Sequence, residues 1–82
     1  MIKLFVGGFP LDITELELVQ LVAMHADVRT IKIVRDKKTK ICKGYAFLEI
    51  ADRAGAEQAI AALNRTTLAG RKLRLSIVEE EE

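Results

Sequence analysis

One cysteine, Cys42, occurs in the whole chain, so no intrachain disulfide can close and the fold must rest on packing. A lone thiol fits a reducing compartment. One histidine, His25, leaves too few donors for a zinc site of paired cysteines and histidines, and neither a metal nor another cofactor is expected. Proline is equally scarce; Pro10, with Asp12, marks a loop. No apolar run approaches the roughly 20 residues of a membrane-spanning helix. The N-terminus enters a strand-like pattern directly, without a charged segment ahead of an apolar stretch, so no signal peptide is expected.

What is present suits one small domain. The chain has 82 residues, half of them hydrophobic, and a domain of that size buries about 60% of the surface its unfolded chain exposes. The formal charge of +1 hides an asymmetry, because four of the twelve acids are the terminal run Glu79, Glu80, Glu81 and Glu82. Residues 1–78 carry thirteen bases against eight acids, a net of +5. Six bases, Lys32, Arg35, Lys37, Lys38, Lys40 and Lys43, fall within twelve residues and face only Asp36. Such a stretch suits contact with a polyanion, and equally a solvated hairpin. The division expected is a domain over residues 1–78 and an acidic, solubilising tail over 79–82.

Periodicity orders the elements. Ile2 to Val6 alternates and is β-prone, and Gly7-Gly8 ends it. Thr14 with Glu17 has the form of a capping box, so a helix should start near Glu15, with Leu18, Leu21, Val22 and His25 on its inward stripe. A strand over about Val28 to Arg35 follows, with Ile31 and Ile33 on one face and Lys32 and Val34 on the other. Asp36 to Lys40 reads as a hairpin loop. Gly44 to Ile50 alternates most cleanly, and Asp52 can cap a second helix through Ala56, Ala59, Ile60 and Leu63. After Asn64 a loop runs to Gly70, then a last strand from about Lys72 to Val78. The order βαββαβ predicts an α+β, ferredoxin-like sandwich: a four-stranded antiparallel sheet with two helices on one face.

The uncovered face then carries the chemistry. If Ala46, Leu48 and Ile50 pack under the helices, period two sends Lys43, Tyr45, Phe47 and Glu49 to the other side. If Leu4 and Val6 point inward, Lys3, Phe5 and Gly7 point out. Three of the four aromatic residues thus stand on the open face. Exposed rings flanked by Lys3, Lys32 and Lys43 are stacking platforms for bases with cations at hand for phosphates. The alternative is that another protein covers them.

These residues resemble a known family. Lys43-Gly44-Tyr45-Ala46-Phe47-Leu48-Glu49-Ile50 is similar to the octamer of the RNA recognition motif, basic-Gly-aromatic-Gly/Ala-Phe-Val-x-aromatic. Leu4-Phe5-Val6-Gly7-Gly8-Phe9 resembles its companion hexamer in the first strand. The resemblance runs from about Ile2 to Val78. It implies that Phe5 and Tyr45 stack on successive bases, that Phe47 lies against a sugar, and that Lys43 reaches a phosphate. By position, Lys32, Arg74 and Ser76 border the same surface. In the family the loop between the second and third strands often embraces the RNA, and here it carries Lys37, Lys38 and Lys40. Gly44 and Ala46 are expected to let their strand sit close beneath the helices. A short chain without arginine–glycine repeats resembles the stand-alone bacterial members, which implies a cytoplasmic location.

The chain departs from the family pattern in places. Ile50 stands where an aromatic is usual, but on the core side. Val22 and His25 stand where the first helix usually carries phenylalanines, and Ala26 replaces a usual glycine. His25 is expected in the core or at the helix end. Besides its inward stripe, the first helix turns Leu16, Val19, Ala23 and Met24 to its other faces, and a helix apolar nearly all round usually has two buried sides. That face is a candidate for a homodimer or protein partner; scattered surface apolars are the plainer account. The ligand expected is single-stranded RNA, with single-stranded DNA as a second possibility. Catalysis is not expected: Gly7-Gly8-Phe9-Pro10 lacks the arginine of an acylphosphatase-like anion cradle, and no nucleophile–histidine pair can be argued.

Overall fold

The structure, a computed structural model, describes residues 1–80, leaving aside the side chains of Cys42, Lys43, Glu79 and Glu80. Strand β1 (Ile2–Gly7) leads to helix α1 (Glu15–Ala23), strands β2 (Val28–Arg35) and β3 (Cys42–Ile50), and helix α2 (Arg53–Leu63). A two-residue-armed hairpin, β4 (Thr67–Leu68) and β5 (Arg71–Lys72), precedes the last strand, β6 (Arg74–Glu80). The long strands form one antiparallel sheet in the order β2-β3-β1-β6. This is the expected ferredoxin-like architecture.

Alternation decides which face the helices cover. Leu4, Ala46, Leu48 and Ile50 are fully buried, and Ile2, Val6, Ile33 and Leu75 nearly so. They meet Leu18 and Val22 of α1 and Ala56, Ala59 and Leu63 of α2 in one core. Phe9, just past β1, is the one aromatic residue inside that core. Burying a leucine-sized side chain is worth about 1.5–3 kcal/mol, so the inward residues set the parity of each strand and a slip by one would expose them all.

The helix starts follow the local signals. Thr14 Oγ1 accepts the Glu17 N–H at 3.1 Å, and the hydroxyl donates to the Glu17 carboxylate at 3.1 Å. Asp52 Oδ1 accepts the Gly55 N–H at 2.7 Å. Each bond satisfies an N–H that has no partner within the helix. A Glu15–Arg35 ion pair ties the start of α1 to the end of β2. Helix α1 ends before His25, which is half-buried beyond it and donates its N–H to the Val22 carbonyl at 2.9 Å. The substitution at Ala26 has a structural counterpart: a Cβ added to Gly55 would lie 3.3 Å from the Ala26 Cβ, so the glycine of α2 leaves room for that methyl.

Two expectations need correction. The last strand begins at Arg74 rather than Lys72, because Lys72 closes the small hairpin against Thr67. Ala69 (φ 51°) and Gly70 (φ 79°) make its tight turn, both in the left-handed region that two-residue hairpins of type I′ demand. Alanine gives no warning of that conformation. Gly44 (φ 89°) does not serve close packing under a helix either: an added Cβ would meet Leu11 of the β1–α1 loop at 3.3 Å. The positive φ is what calls for glycine there.

Candidate nucleic-acid interface

Residues that β1 and β3 turn away from the core meet on the open face through the strand register. Phe5 lies directly opposite Phe47, Gly7 opposite Tyr45, and Lys3 opposite Glu49. The three half-buried rings form a triangle with centroid separations of 6.0 Å (Phe5–Tyr45), 5.9 Å (Phe5–Phe47) and 6.1 Å (Tyr45–Phe47). They are tilted against one another by 33°, 59° and 81° respectively, within the range in which aromatic pairs attract. A Cβ on Gly7 would lie 2.8 Å from the Phe5 ring, so glycine lets that ring fold across β1.

The strands on either side supply polar groups. Lys32 of β2 pairs with Phe47, and Ser76 and Arg74 of β6 pair with Phe5 and Gly7. Lys3 Nζ sits 5.8 Å from the centre of the Phe47 ring, a cation–π distance. Lys3, Lys32, Arg74 and Ser76 are all exposed. Seven of the eight sheet residues expected on this face, Lys3, Phe5, Lys32, Tyr45, Phe47, Arg74 and Ser76, are therefore grouped there, with the three rings at the centre. The side chain of Lys43, expected to reach a phosphate, lies outside the described residues.

The basic loop stands at the Tyr45 end of the sheet. Asp36 Oδ1 accepts the N–H groups of Lys38 and Thr39 at 2.8 and 3.0 Å, and Lys40 N–H donates to the Asp36 carbonyl at 2.9 Å. That turn leaves Lys37, Lys38 and Lys40 exposed beyond the sheet. Arg35, counted with them in the sequence, is drawn off by Glu15.

Two clefts extend the face. One, at the β6 edge, is lined by Phe5, Asn64, Arg65, Lys72, Arg74 and Ser76. Arg65 and Lys72 are not legible as surface partners from periodicity, because Arg65 has φ 67° and Lys72 belongs to the small hairpin. Asn64 Oδ1 accepts the Leu75 N–H at 3.0 Å and so fixes the loop against β6. The other cleft is lined by Lys3, Thr30, Lys32, Val34, Phe47 and Glu49. Period two does turn Val34 and Glu49 to this side; the cleft between them is a product of the fold.

The candidate partner face of α1 lies away from this surface. Leu16 and Met24 are 66% and 76% exposed, Ala23 is exposed and Val19 half-buried.

Comparison with known proteins follows the same lines. The family model for the RNA recognition motif matches residues 4–74. The 28 kDa chloroplastic ribonucleoprotein of Spinacia oleracea is 33% identical over 78 residues, a match that covers 95% of this chain but only 34% of that protein. The crystal structure of RNA binding protein PG1 superimposes with a TM-score of 0.91 at 26% identity, covering 100% of this chain and 99% of the other. The Rna15 RRM solved with bound RNA (GU) gives 0.85 at 29% identity, over 98% and 85% of the two chains. With the family model spanning both strand motifs and both helices, this chain belongs to the RNA recognition motif family.

Proposed function

We propose that the chain binds single-stranded RNA across the open face of its sheet. Phe5 and Tyr45 each stack on a base, Phe47 lies against a ribose, and lysine and arginine side chains hold the phosphates. The observation that carries this reading is the triangle of rings, about 6 Å on a side, on the face neither helix covers. Lys3, Lys32 and Arg74 border the rings, and the β2–β3 loop adds Lys37, Lys38 and Lys40. The likeness to a domain solved with RNA on it supports the same ligand class.

The test is a titration of short labelled oligonucleotides against the 82-residue chain and Phe47→Ala. The variant should lose about 1–3 kcal/mol of binding, comparable to the loss of one stacked aromatic side chain. Its circular dichroism should stay native, since the ring is outward. Undiminished affinity would reject the assigned face. Matched RNA and DNA oligonucleotides address the 2′-hydroxyl, which only RNA offers.

A second reading concerns α1. The exposure of Leu16 and Met24 favours a contact with a second copy or another protein through that helix, in addition to RNA binding. A monomer mass in sedimentation equilibrium that does not change with concentration would dismiss self-association.

A further inference from the structure

Glu49 is the one acidic side chain, among the described residues, that the four long strands turn onto the open face. On a surface that takes a polyanion, a carboxylate repels phosphates within the Debye length of about 8–10 Å, so its position invites a reason. It sits in the middle of the sheet on β3, opposite Lys3 of β1 and Thr30 of β2. The Thr30 hydroxyl donates to Glu49 Oε1 at 2.9 Å, which fixes the plane of the carboxylate. One acceptor site is thereby used, and a carboxylate has about four. The group also lines a cleft whose apolar walls are Phe47 and Val34 and whose rim carries Lys3 and Lys32.

We infer that this cleft is a base-selective subsite and that Glu49 makes it prefer guanine. The inference rests on the RNA-binding reading above and names the base that one part of the surface selects. Unstacked bases in single strands are read along their Watson–Crick edges. A carboxylate supplies acceptors only, so it favours the base with adjacent donors. Guanine has them, N1–H and the N2 amino group side by side. Uracil sets its N3–H between two carbonyl oxygens. Adenine and cytosine place a ring-nitrogen acceptor beside the amino group, and that lone pair faces the carboxylate. Guanine also presents O6 next to N1, an acceptor for the ammonium groups on the rim. Val34 walls the flat base, the edge of Phe47 bounds the cleft while its face meets the ribose, and the Thr30 hydroxyl keeps the two carboxylate oxygens from rotating away.

Fluorescence anisotropy on the whole chain decides it. The probes are labelled octauridine and derivatives with one G, A or C placed at each position in turn. The best G-containing probe should bind about tenfold tighter than octauridine, as a good bidentate base contact allows. The A and C probes should gain nothing comparable. In Glu49→Gln, whose amide keeps the shape but puts a donor on one arm, the guanine advantage should fall below about threefold. Its affinity for octauridine should hold or rise, because a negative charge has left the surface. Thr30→Val, which frees the carboxylate to rotate, should lose part of the advantage and serves as the second variant if Glu49→Gln folds poorly. Binding that depends on Phe47 but shows no preference for guanine would overturn the subsite alone. So would a preference that survives Glu49→Gln. Absence of binding to every probe would overturn the RNA reading together with it.

Discussion

At the scale of single residues, the open face depends on side chains whose direction is set by the next residue's burial. Phe5, Tyr45 and Phe47 point outward because Leu4, Ala46 and Leu48 are fully buried. That much is readable from alternation, and the rings do meet where the pattern sends them. Backbone conformation is less readable. Gly8 has φ 84°, and a Cβ there would lie 2.1 Å from the carbonyl oxygen of Lys72. A backbone oxygen cannot swing aside as a side chain can. Gly8→Ala should therefore destabilise the fold by about 3 kcal/mol or more, above the usual strain of a left-handed non-glycine residue. Urea denaturation measures it, and an unshifted midpoint would refute the close approach. Arg65 is the converse case: its φ of 67° turns a loop residue toward the cleft beside Phe5, and no pattern in its neighbours announces that.

Elements form where cap, pattern and partner agree. Thr14 and Asp52 were visible as helix starts because their side chains accept N–H groups three residues on, a purely local bond. Asp52→Ala should cost about 1 kcal/mol, which lowers the melting temperature of a domain this size by about 4–8 °C. RNA affinity should be unchanged, since α2 lies behind the sheet; a large loss of affinity would mean that the helix end shapes the face. The small β4–β5 hairpin went unread because its turn is Ala69-Gly70, without the Asn-Gly or Asp-Gly that advertises such a turn. Ala69 has φ 51°, a conformation that asparagine adopts at lower cost than alanine. Ala69→Asn should accordingly stabilise the protein by about 0.5–1 kcal/mol, seen as a higher thermal midpoint. A lower midpoint would argue against the left-handed turn.

For the molecule as a whole, charge is distributed rather than merely summed. The net of +1 over 82 residues conceals +5 over residues 1–78. The first two tail glutamates continue β6, with Glu79 in register with Lys3 and Glu80 with Ile2. The backbone of the tail's first two residues therefore runs alongside β1. Removing residues 79–82 should tighten oligonucleotide binding at low salt and matter less as salt screens it; equal affinity at low salt would make the tail electrostatically idle. For the full chain, the logarithm of the binding constant should fall against the logarithm of salt by about 0.7 per neutralised phosphate. A flat salt response would exclude phosphate contacts as a main source of affinity.

The order of the four long strands and two helices, the parity of each of those strands and the two helix caps were determined by the sequence, because each arises from neighbours within a few residues. Tertiary structure alone decided which residues of different strands stand opposite one another, since register depends on how the sheet settles on its helices. It brought Thr30, Lys3 and Glu49 into one row across three strands. It also carried Arg65 and Lys72 to the margin of Phe5, through a turn whose left-handed backbone no local composition declares.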